Sequence, residues 1–374
     1  MLKLPFCWCI ILAKREYGQM GKFIYPQKLG SIIVYGNLKP DSLAYHLIDE
    51  YVSSVQPIEL PWEINVFDGA PFIDFNNRND RAKGYLISFS SKDGMKKAYD
   101  KICAYESLRD DRSSLYKWGK CEIKIENMGN IIDANILIWN NINSLRRDSW
   151  QKTDGEWMWQ CDILFDEGIS WLDSKLYDDK RVPSFSKVIG SEDHSTLFEL
   201  QLLYMFLWMV IDRYTRLKYG ENSKRLSLAI DIRKNDVKAN DLLKKLNPGV
   251  AEKIISSDRA KGLCYCQNMH EYGSPQHYND AINYFYQIRS NIVHNGKGIM
   301  EDYKTIHNAL YTLMPRFKRC LEAEKTVCEE KLKELKEGNK WHRDSLITEF
   351  IAVDTTSTMC PILKLSGTYL QNTP

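Results

Sequence analysis

The stretch AINYFYQIRSNIVHNGKG, residues 281–298, combines one apolar helical face with polar side chains that could take part in a reaction. Apolar residues recur every four positions from Tyr284 to Ile292, which is the spacing of one face of an α-helix. Arg289 and His294 lie off that face, and an Asn-Gly pair, a typical helix stop, follows the histidine. The pattern predicts a half-buried helix that ends at or just before His294.

Arg289 and His294 could act together on a phosphodiester. The end of a helix modestly favours a protonated imidazole, and an imidazole that titrates near neutrality can move the proton of a ribose 2′-hydroxyl. The guanidinium would stabilise charge on the phosphoryl oxygens. Asn291, three residues before the histidine, is expected beside it on the helix surface. Such chemistry needs no metal and cuts RNA but not DNA. The spacing alone also fits a solvated arginine and a helix-ending histidine without a catalytic role.

Three further helical patterns surround this one and predict a helical domain over 196–340. A polar segment with Pro183 and Gly190 precedes them, and its last part, 186–195, is predicted to be a linker. Gly220 is expected to end the first helix. The four predicted helices span 196–219, 222–246, 278–294 and 299–336.

Residues 190–320 resemble HEPN domain proteins, most closely the Apea-like HEPN ribonuclease group. The resemblance rests first on the R-x4-H spacing of Arg289 and His294. Upstream, Trp208 is followed four residues later by Asp212, where the family often has glutamate. The other matching residues are Tyr286, Ile288, Ser290, Val293 and Gly296.

The resemblance implies an all-α HEPN-type four-helix bundle with Arg289 and His294 as the catalytic pair. Asn291 would orient the phosphate or the imidazole, and Asp212 and Ser290 would support the site. It also implies a homodimer through the helical domain, in which two R-x4-H motifs face one cleft. RNA would be the substrate, with no metal or other cofactor. Lys297 could hold a phosphate or could simply be solvated.

The setting implied by the resemblance is anti-phage defence or toxin-like growth arrest in the cytoplasm. Two alternatives stay open at this point. The chain could be a non-catalytic HEPN module that binds a nucleotide or a partner protein. It could also be a helical scaffold whose N-terminal domain does the binding.

Residues 21–185 are predicted to form an α+β domain with a possible sensory or regulatory role. The sequence does not identify the family of this domain. Its strands are expected at 31–36, 58–67, 84–90 and 120–128. Its helices are expected at 41–55 and at 91–108, the second capped by Ser90 or Ser91. Six tryptophans could stack on bases or anchor the core. They are Trp118, Trp139, Trp150, Trp157, Trp159 and Trp171.

The two ends of the chain are open to several interpretations. Residues 1–20 could be a leader or non-native start before Met20, a first strand or helix, or an export signal. The apolar run from Leu4 to Ala13 is too short to span a bilayer, and no membrane association is expected. Residues 341–374 are expected to be weakly structured or to return as a strand.

Composition excludes some classes of protein. The net charge of +2, with 44% hydrophobic residues, argues against a polybasic nucleic-acid coat and against an acidic disordered chain. Ten cysteines without a CxxC motif indicate reduced thiols inside a cell. A zinc site is conceivable, although its spacing fits no common module. It would use Cys264, Cys266, His270 and His277.

Overall fold

The computed structural model describes residues 21–67, 69–74, 82–110, 114–125, 131–140, 151–153, 155–177, 194–220, 225–235, 275–295, 299–341 and 347–355. The strands are β1 (Ser31–Val34), β2 (Val52–Leu60), β3 (Glu63–Phe67), β4 (Ala70–Asp74), β5 (Ala82–Phe89), β6 (Tyr116–Ile125), β7 (Ile131–Trp139), β8 (Gln151–Lys152) and β9 (Ile347–Thr355). The helices are α1 (Lys92–Tyr105), α2 (Ile169–Tyr177), α3 (His194–Tyr219), α4 (Arg225–Asn235), α5 (Pro275–Asn295) and α6 (Ile299–Glu337).

A six-stranded mixed sheet organises the molecule, with strand order β2-β5-β1-β7-β6-β9. Only the β1–β7 pair is parallel among its five described pairings. A smaller antiparallel sheet has the order β4-β3-β8. The N-terminal part of the chain therefore combines a mixed sheet with helices, and further helices follow it. This order, an α/β part and then helices, is the one that the sequence predicts.

The large sheet separates two hydrophobic clusters, and β1 shows how. Ile32 and Val34 belong to the cluster that also contains α1 residues such as Ile102. Ile33 belongs to the other cluster, together with α3 residues such as Leu207. Side chains alternate between the two faces of a strand, so one face of the sheet packs on α1 and the other on the C-terminal helices.

The C-terminal helices pack on one another as well as on the sheet. Helix α3 contacts α6, and α4 contacts both α5 and α6. The predicted spans 196–219, 278–294 and 299–336 correspond closely to α3, α5 and α6. Of the span 222–246, the structure describes α4 over Arg225–Asn235. Helix α3 begins at His194, so it includes the last two residues of the predicted linker.

The segment after α6 returns to the large sheet. Lys340 accepts a backbone hydrogen bond from Val55 of β2, with an N···O distance of 2.7 Å. Strand β9 then pairs antiparallel with β6 at the other edge. Of the two possibilities left open for the tail, the structure therefore shows a return strand over Ile347–Thr355. The predicted leader, residues 1–20, lies outside the described residues.

Two helix termini match the sequence signals. The Ser91 hydroxyl accepts a hydrogen bond from the Gly94 amide at 3.0 Å, which makes Ser91 the cap of α1. Helix α3 stops at Gly220, whose φ of 77° is in the left-handed region that favours glycine. A Cβ at Gly220 would also lie 2.8 Å from the carbonyl oxygen of Tyr105.

The predicted helix over 41–55 is wrong. Its place is taken by two single 3-10 turns, Tyr45–Leu47 and Asp49–Tyr51, and then by β2. The apolar spacing is real, since Ile48 is fully buried. Strand β2 has β-branched residues at Val52, Val55 and Ile58, and its pairing with the distant β5 takes the place of a helix there.

Most of the tryptophans serve as core residues. Exposed fractions lie between 2% and 7% for four of them: Trp118, Trp139, Trp157 and Trp159. Trp171 is exposed, and Trp150 lies outside the described residues. The buried four are unavailable for stacking on bases. Across the described part of the chain, no helix has both the length and the apolar character needed to cross a membrane.

Candidate active site

Helix α5 carries most of the predicted site. Arg289, Ser290 and Asn291 lie in its last two turns, and the backbone of His294 is its penultimate residue. The side chain of His294 and the whole of Lys297 lie outside the part that the structure describes. Asp212 is half-buried on α3.

Aromatic contacts with α3 fix the position of α5. The buried Tyr204 hydroxyl donates a 2.7 Å hydrogen bond to the carbonyl of Phe285. The Trp208 and Tyr286 rings meet edge to face with their centroids 5.4 Å apart. The two helices that carry the predicted site residues are thus in direct contact.

Arg289 has a distinctive environment. Its side chain is half-buried, and its guanidinium carbon lies 5.4 Å from the centroid of the Tyr286 ring. Its buried Nε has no hydrogen-bond partner among the residues that the structure describes. A buried donor without a partner is unfavourable and calls for an explanation such as a bound water, ion or ligand. The same holds for Arg213 Nη2 and Arg316 Nε, so this feature is not unique to Arg289.

Asn291 does not lie on the helix surface as the sequence predicts. It is 7% exposed, and its side-chain oxygen accepts a 2.7 Å hydrogen bond from the equally buried Gln287. Asn291 does lie three residues before His294 on α5, but it is on a face of the helix that is buried in the protein. Its expected exposure is therefore corrected, while a role in orienting the site stays a prediction.

The spacing of Arg289 and His294 also has a geometric consequence. In a regular α-helix, residues five apart differ by about 140° in direction and about 7.5 Å along the axis. The helix backbone therefore places the two residues on different sides of α5. A substrate that contacts both must span these sides or receive one of the groups from elsewhere.

A buried charged cluster lies in the same helical region. Lys218 of α3 donates to Asp231 of α4 at 2.9 Å and to Glu324 of α6 at 2.6 Å. The hydroxyls of Tyr214 and Tyr219 also donate to Asp231, at 2.8–2.9 Å. All three charged side chains are at most 10% exposed, so the cluster holds three helices together rather than facing a substrate.

Opposing effects act on the pKa of Lys218. Burial lowers it, but the two carboxylates and their hydrogen bonds outweigh burial, so the pKa lies above its ordinary value of 10.5. Sequence patterns could not reveal this cluster, because Asp231 and Glu324 lie 13 and 106 residues from the lysine.

A cleft of about 190 Å³ opens between the large sheet and the end of α3. Arg213 and Arg216, one helical turn apart, contribute to its lining. The Arg213 Nε donates to Asp162 at 2.7 Å. Burial, followed by the charge of Glu106, holds the pKa of Tyr105 well above 10.0, so this lining hydroxyl stays protonated.

A histidine that sequence reasoning missed lies on α6. His307 stacks near Tyr311, with ring centroids 4.4 Å apart. Burial lowers the pKa of its imidazole, so His307 is neutral at physiological pH.

No cluster of three or more potential metal ligands occurs within the described ranges. This search does not test the zinc site considered above, because Cys264, Cys266 and His270 lie outside those ranges. His277 falls in the first turn of α5, but its side chain is also outside the description.

No protein-family model, curated protein or solved structure matches this chain.

Proposed function

We propose that the chain is a metal-independent endoribonuclease of HEPN type that uses Arg289 and His294. The observation that carries the proposal is the position of Arg289 on α5. Its guanidinium lies over Tyr286 with an unpartnered buried Nε, five residues before a histidine at the helix end. This R-x4-H spacing is the one on which the resemblance rests.

The proposed reaction is a transesterification. A base removes the proton of a ribose 2′-hydroxyl, and the oxygen attacks the adjacent phosphorus. The bond from phosphorus to the 5′-oxygen breaks, and an acid protonates the leaving oxygen. The products are a 2′,3′-cyclic phosphate and a 5′-hydroxyl. The Arg289 guanidinium would stabilise the additional negative charge on the phosphoryl oxygens in the transition state.

A dimer would provide both proton-transfer groups. One histidine cannot be base and acid at the same moment, whereas two copies supply two His294 side chains. The roughly 140° between Arg289 and His294 on one helix fits a site to which a second copy contributes. Lys297 would hold a phosphate of the RNA, and Ser290 and Asp212 would support the pair. The buried Asn291 would act through the helix rather than on the RNA.

The biological setting belongs to the same proposal. Cleavage of cellular or invading RNA would serve anti-phage defence or toxin-like growth arrest in the cytoplasm. The mixed-sheet part would sense a signal or restrain the nuclease.

The test is cleavage of structured RNA in the presence of EDTA. Wild type should cut, and His294→Ala and Arg289→Ala should each lose at least about 100-fold in rate. Lys325→Ala, which removes an exposed cation from α6, should keep the wild-type rate. Intact RNA with wild type, loss of activity on chelation, or full activity of His294→Ala would refute the mechanism. So would products ending in a 3′-hydroxyl.

The cleft at the end of α3 supports a second candidate function, a non-catalytic module that binds a nucleotide. Arg213 and Arg216 in its lining could contact a phosphate. Titration calorimetry with nucleoside monophosphates should then give binding that weakens in Arg216→Ala. Unchanged binding in that variant, or none in wild type, would dismiss this candidate.

A further inference from the structure

The cleft between the large sheet and the end of α3 has the volume of one ring-sized molecule. That volume is about 190 Å³. A protein cavity of roughly 150 Å³ can hold a benzene molecule, so this cleft can hold one aromatic ring with a small substituent. Pockets for drug-sized ligands are larger, at roughly 300–1,000 Å³. The volume therefore favours a ligand smaller than a nucleotide.

Apolar side chains from both the sheet and α3 contribute to the walls of the cleft. Val34 of β1, Leu137 of β7 and Leu217 of α3 are in the lining, and each is at most 8% exposed. Water beside such walls has few hydrogen-bond partners, whereas an apolar ring placed there is itself removed from water. The walls therefore favour an apolar ring over water alone.

One buried acceptor in the lining has no donor. Asn37 is 8% exposed, and its Nδ2 donates to the Tyr105 hydroxyl at 2.9 Å. Its Oδ1 has no hydrogen-bond partner among the residues that the structure describes. The tyrosine hydroxyls of the lining do not supply the missing donor, because each of them already donates to a backbone carbonyl. A ligand with an O–H or N–H group at Asn37 would remove the cost of this unpaired oxygen.

The two arginines of the lining have different roles. The charge of Arg213 is matched by Asp162, whose carboxylate accepts a hydrogen bond from Nε at 2.7 Å. Arg216, one helical turn further along α3, is exposed, and no ion pair joins it to another residue of the described ranges. Glu106 also lines the cleft and has interactions of its own. An anionic group of a ligand would therefore bind at Arg216, on the solvent side of the cleft.

Asn37 and Arg216 are close enough for one small molecule to contact both. Two hydrogen bonds in series join Asn37 to α3. Its Nδ2 donates to the Tyr105 hydroxyl at 2.9 Å, and that hydroxyl donates to the carbonyl of Leu217 at 2.7 Å. Leu217 directly follows Arg216 in α3. A single ring with a donor at one end and an anionic group at the other matches this arrangement.

We propose that this cleft binds a small organic anion that carries one ring. The ring lies between the apolar walls, a hydroxyl or N–H group donates to Asn37, and a carboxylate or phosphate group binds Arg216. The inference goes beyond the second candidate function, which uses the same cleft for a nucleotide. It does not depend on RNA cleavage by Arg289 and His294.

The experiment is titration calorimetry of the full chain with probes that differ by one feature. The probe para-hydroxybenzoate has the ring, the donor and the anionic group. Benzoate has no donor, para-cresol has no anionic group, and inorganic phosphate has no ring. We expect para-hydroxybenzoate to bind, and benzoate and para-cresol to bind at least about 10-fold more weakly. Inorganic phosphate should not bind. The probe para-hydroxyphenyl phosphate, compared with para-hydroxybenzoate, distinguishes a phosphate from a carboxylate ligand.

Variants of the two polar contacts assign each feature to its residue. Arg216→Ala should weaken para-hydroxybenzoate at least about 10-fold and leave para-cresol unchanged, because only the partner of the anionic group is lost. Lys325→Ala, which removes an exposed cation from α6, is the control and should bind as wild type does. Asn37→Ala should abolish the preference for para-hydroxybenzoate over benzoate. Arg216 is exposed, so its replacement tests the site even if Asn37→Ala fails to fold.

Hydrogen exchange locates the bound probe. Exchange should slow in peptides that cover 31–38 and 213–220, because both segments line the cleft. Lys325→Ala should show the same slowing, and Arg216→Ala should show less at equal probe concentration. Binding without slower exchange in these two segments would mean that the probe binds elsewhere, and it would overturn the proposal.

Three further results would overturn the proposal. One is a wild type that binds neither hydroxyl-bearing anion at millimolar concentration, since the cleft would then hold only water. The second is equal binding of para-hydroxybenzoate by wild type and Arg216→Ala. The third is binding of nucleoside monophosphates without binding of the single-ring anions, which would support the second candidate function instead. Intact RNA would refute the nuclease and leave the binding result standing.

Discussion

At the scale of single residues, the buried cluster around Lys218 joins α3, α4 and α6 through charged side chains. One cation is shared by two carboxylates, and all three side chains are at most 10% exposed. Removing the cation would leave two buried negative charges without compensation. Loss of one partner from such a group is far more harmful than loss of an exposed ion pair.

Lys218→Met should therefore lower the free energy of unfolding by about 3–5 kcal/mol. Urea denaturation at pH 7 measures the change. Lys325→Met, at an exposed position on the neighbouring α6, should change it by less than about 0.5 kcal/mol. Adding Glu324→Gln to Lys218→Met should recover part of the loss. Equal effects of the two lysine substitutions would contradict the importance of the cluster.

The same cluster predicts a dependence on alkaline pH. The folded pKa of Lys218 lies above its unfolded value, so its stabilising contribution is complete below that value. The contribution is lost as the pH rises through the folded pKa. The difference in stability between wild type and Lys218→Met should therefore be constant from pH 7 to 9 and narrow above about pH 10.5. Urea midpoints at stepped pH values would show a constant difference if the lysine were already neutral in the fold.

At the scale of elements, two adjacent serines at the start of α1 have different roles. Ser91 caps the helix through the Gly94 amide. Ser90 instead donates to the carbonyl of Tyr51 at an exposed position. Ser91→Ala should lower stability by about 1 kcal/mol, and Ser90→Ala should change it by only a few tenths. Thermal or urea unfolding of the two variants gives a direct comparison, and a larger loss for Ser90→Ala would contradict the assignment.

Elements with strong local signals could be predicted from the sequence. Helix α3 has a long apolar pattern and a glycine stop, and α1 has a cap. The segment 41–55 has helical spacing too, but pairing of β2 with β5 decides its structure, and that pairing is not local. For the same reason the sequence could not place Asn291 in the interior, since its burial depends on the packing around α5.

At the scale of the whole molecule, the sheet and the C-terminal helices share one hydrophobic cluster. Ile33 and Ile136 of the sheet lie in it beside Leu207 of α3 and Phe317 of α6. Strand β9, which follows the helices in the chain, pairs with β6 of the sheet. A change in packing on this face of the sheet should therefore alter the packing of the helices. Through this contact the mixed-sheet part could influence α5.

Adjacent residues of β1 provide the test of this coupling. Ile32 and Ile33 are both at most 1% exposed but face α1 and the C-terminal helices, respectively. Each change to alanine should lower the free energy of unfolding by about 2–5 kcal/mol. Hydrogen exchange of α3 peptides should accelerate more in Ile33→Ala than in Ile32→Ala, because only Ile33 packs in the cluster that contains α3. If α3 protection were unchanged in Ile33→Ala while α1 peptides opened, the sheet and the helices would unfold independently. The mixed-sheet part could not then regulate α5 through this face.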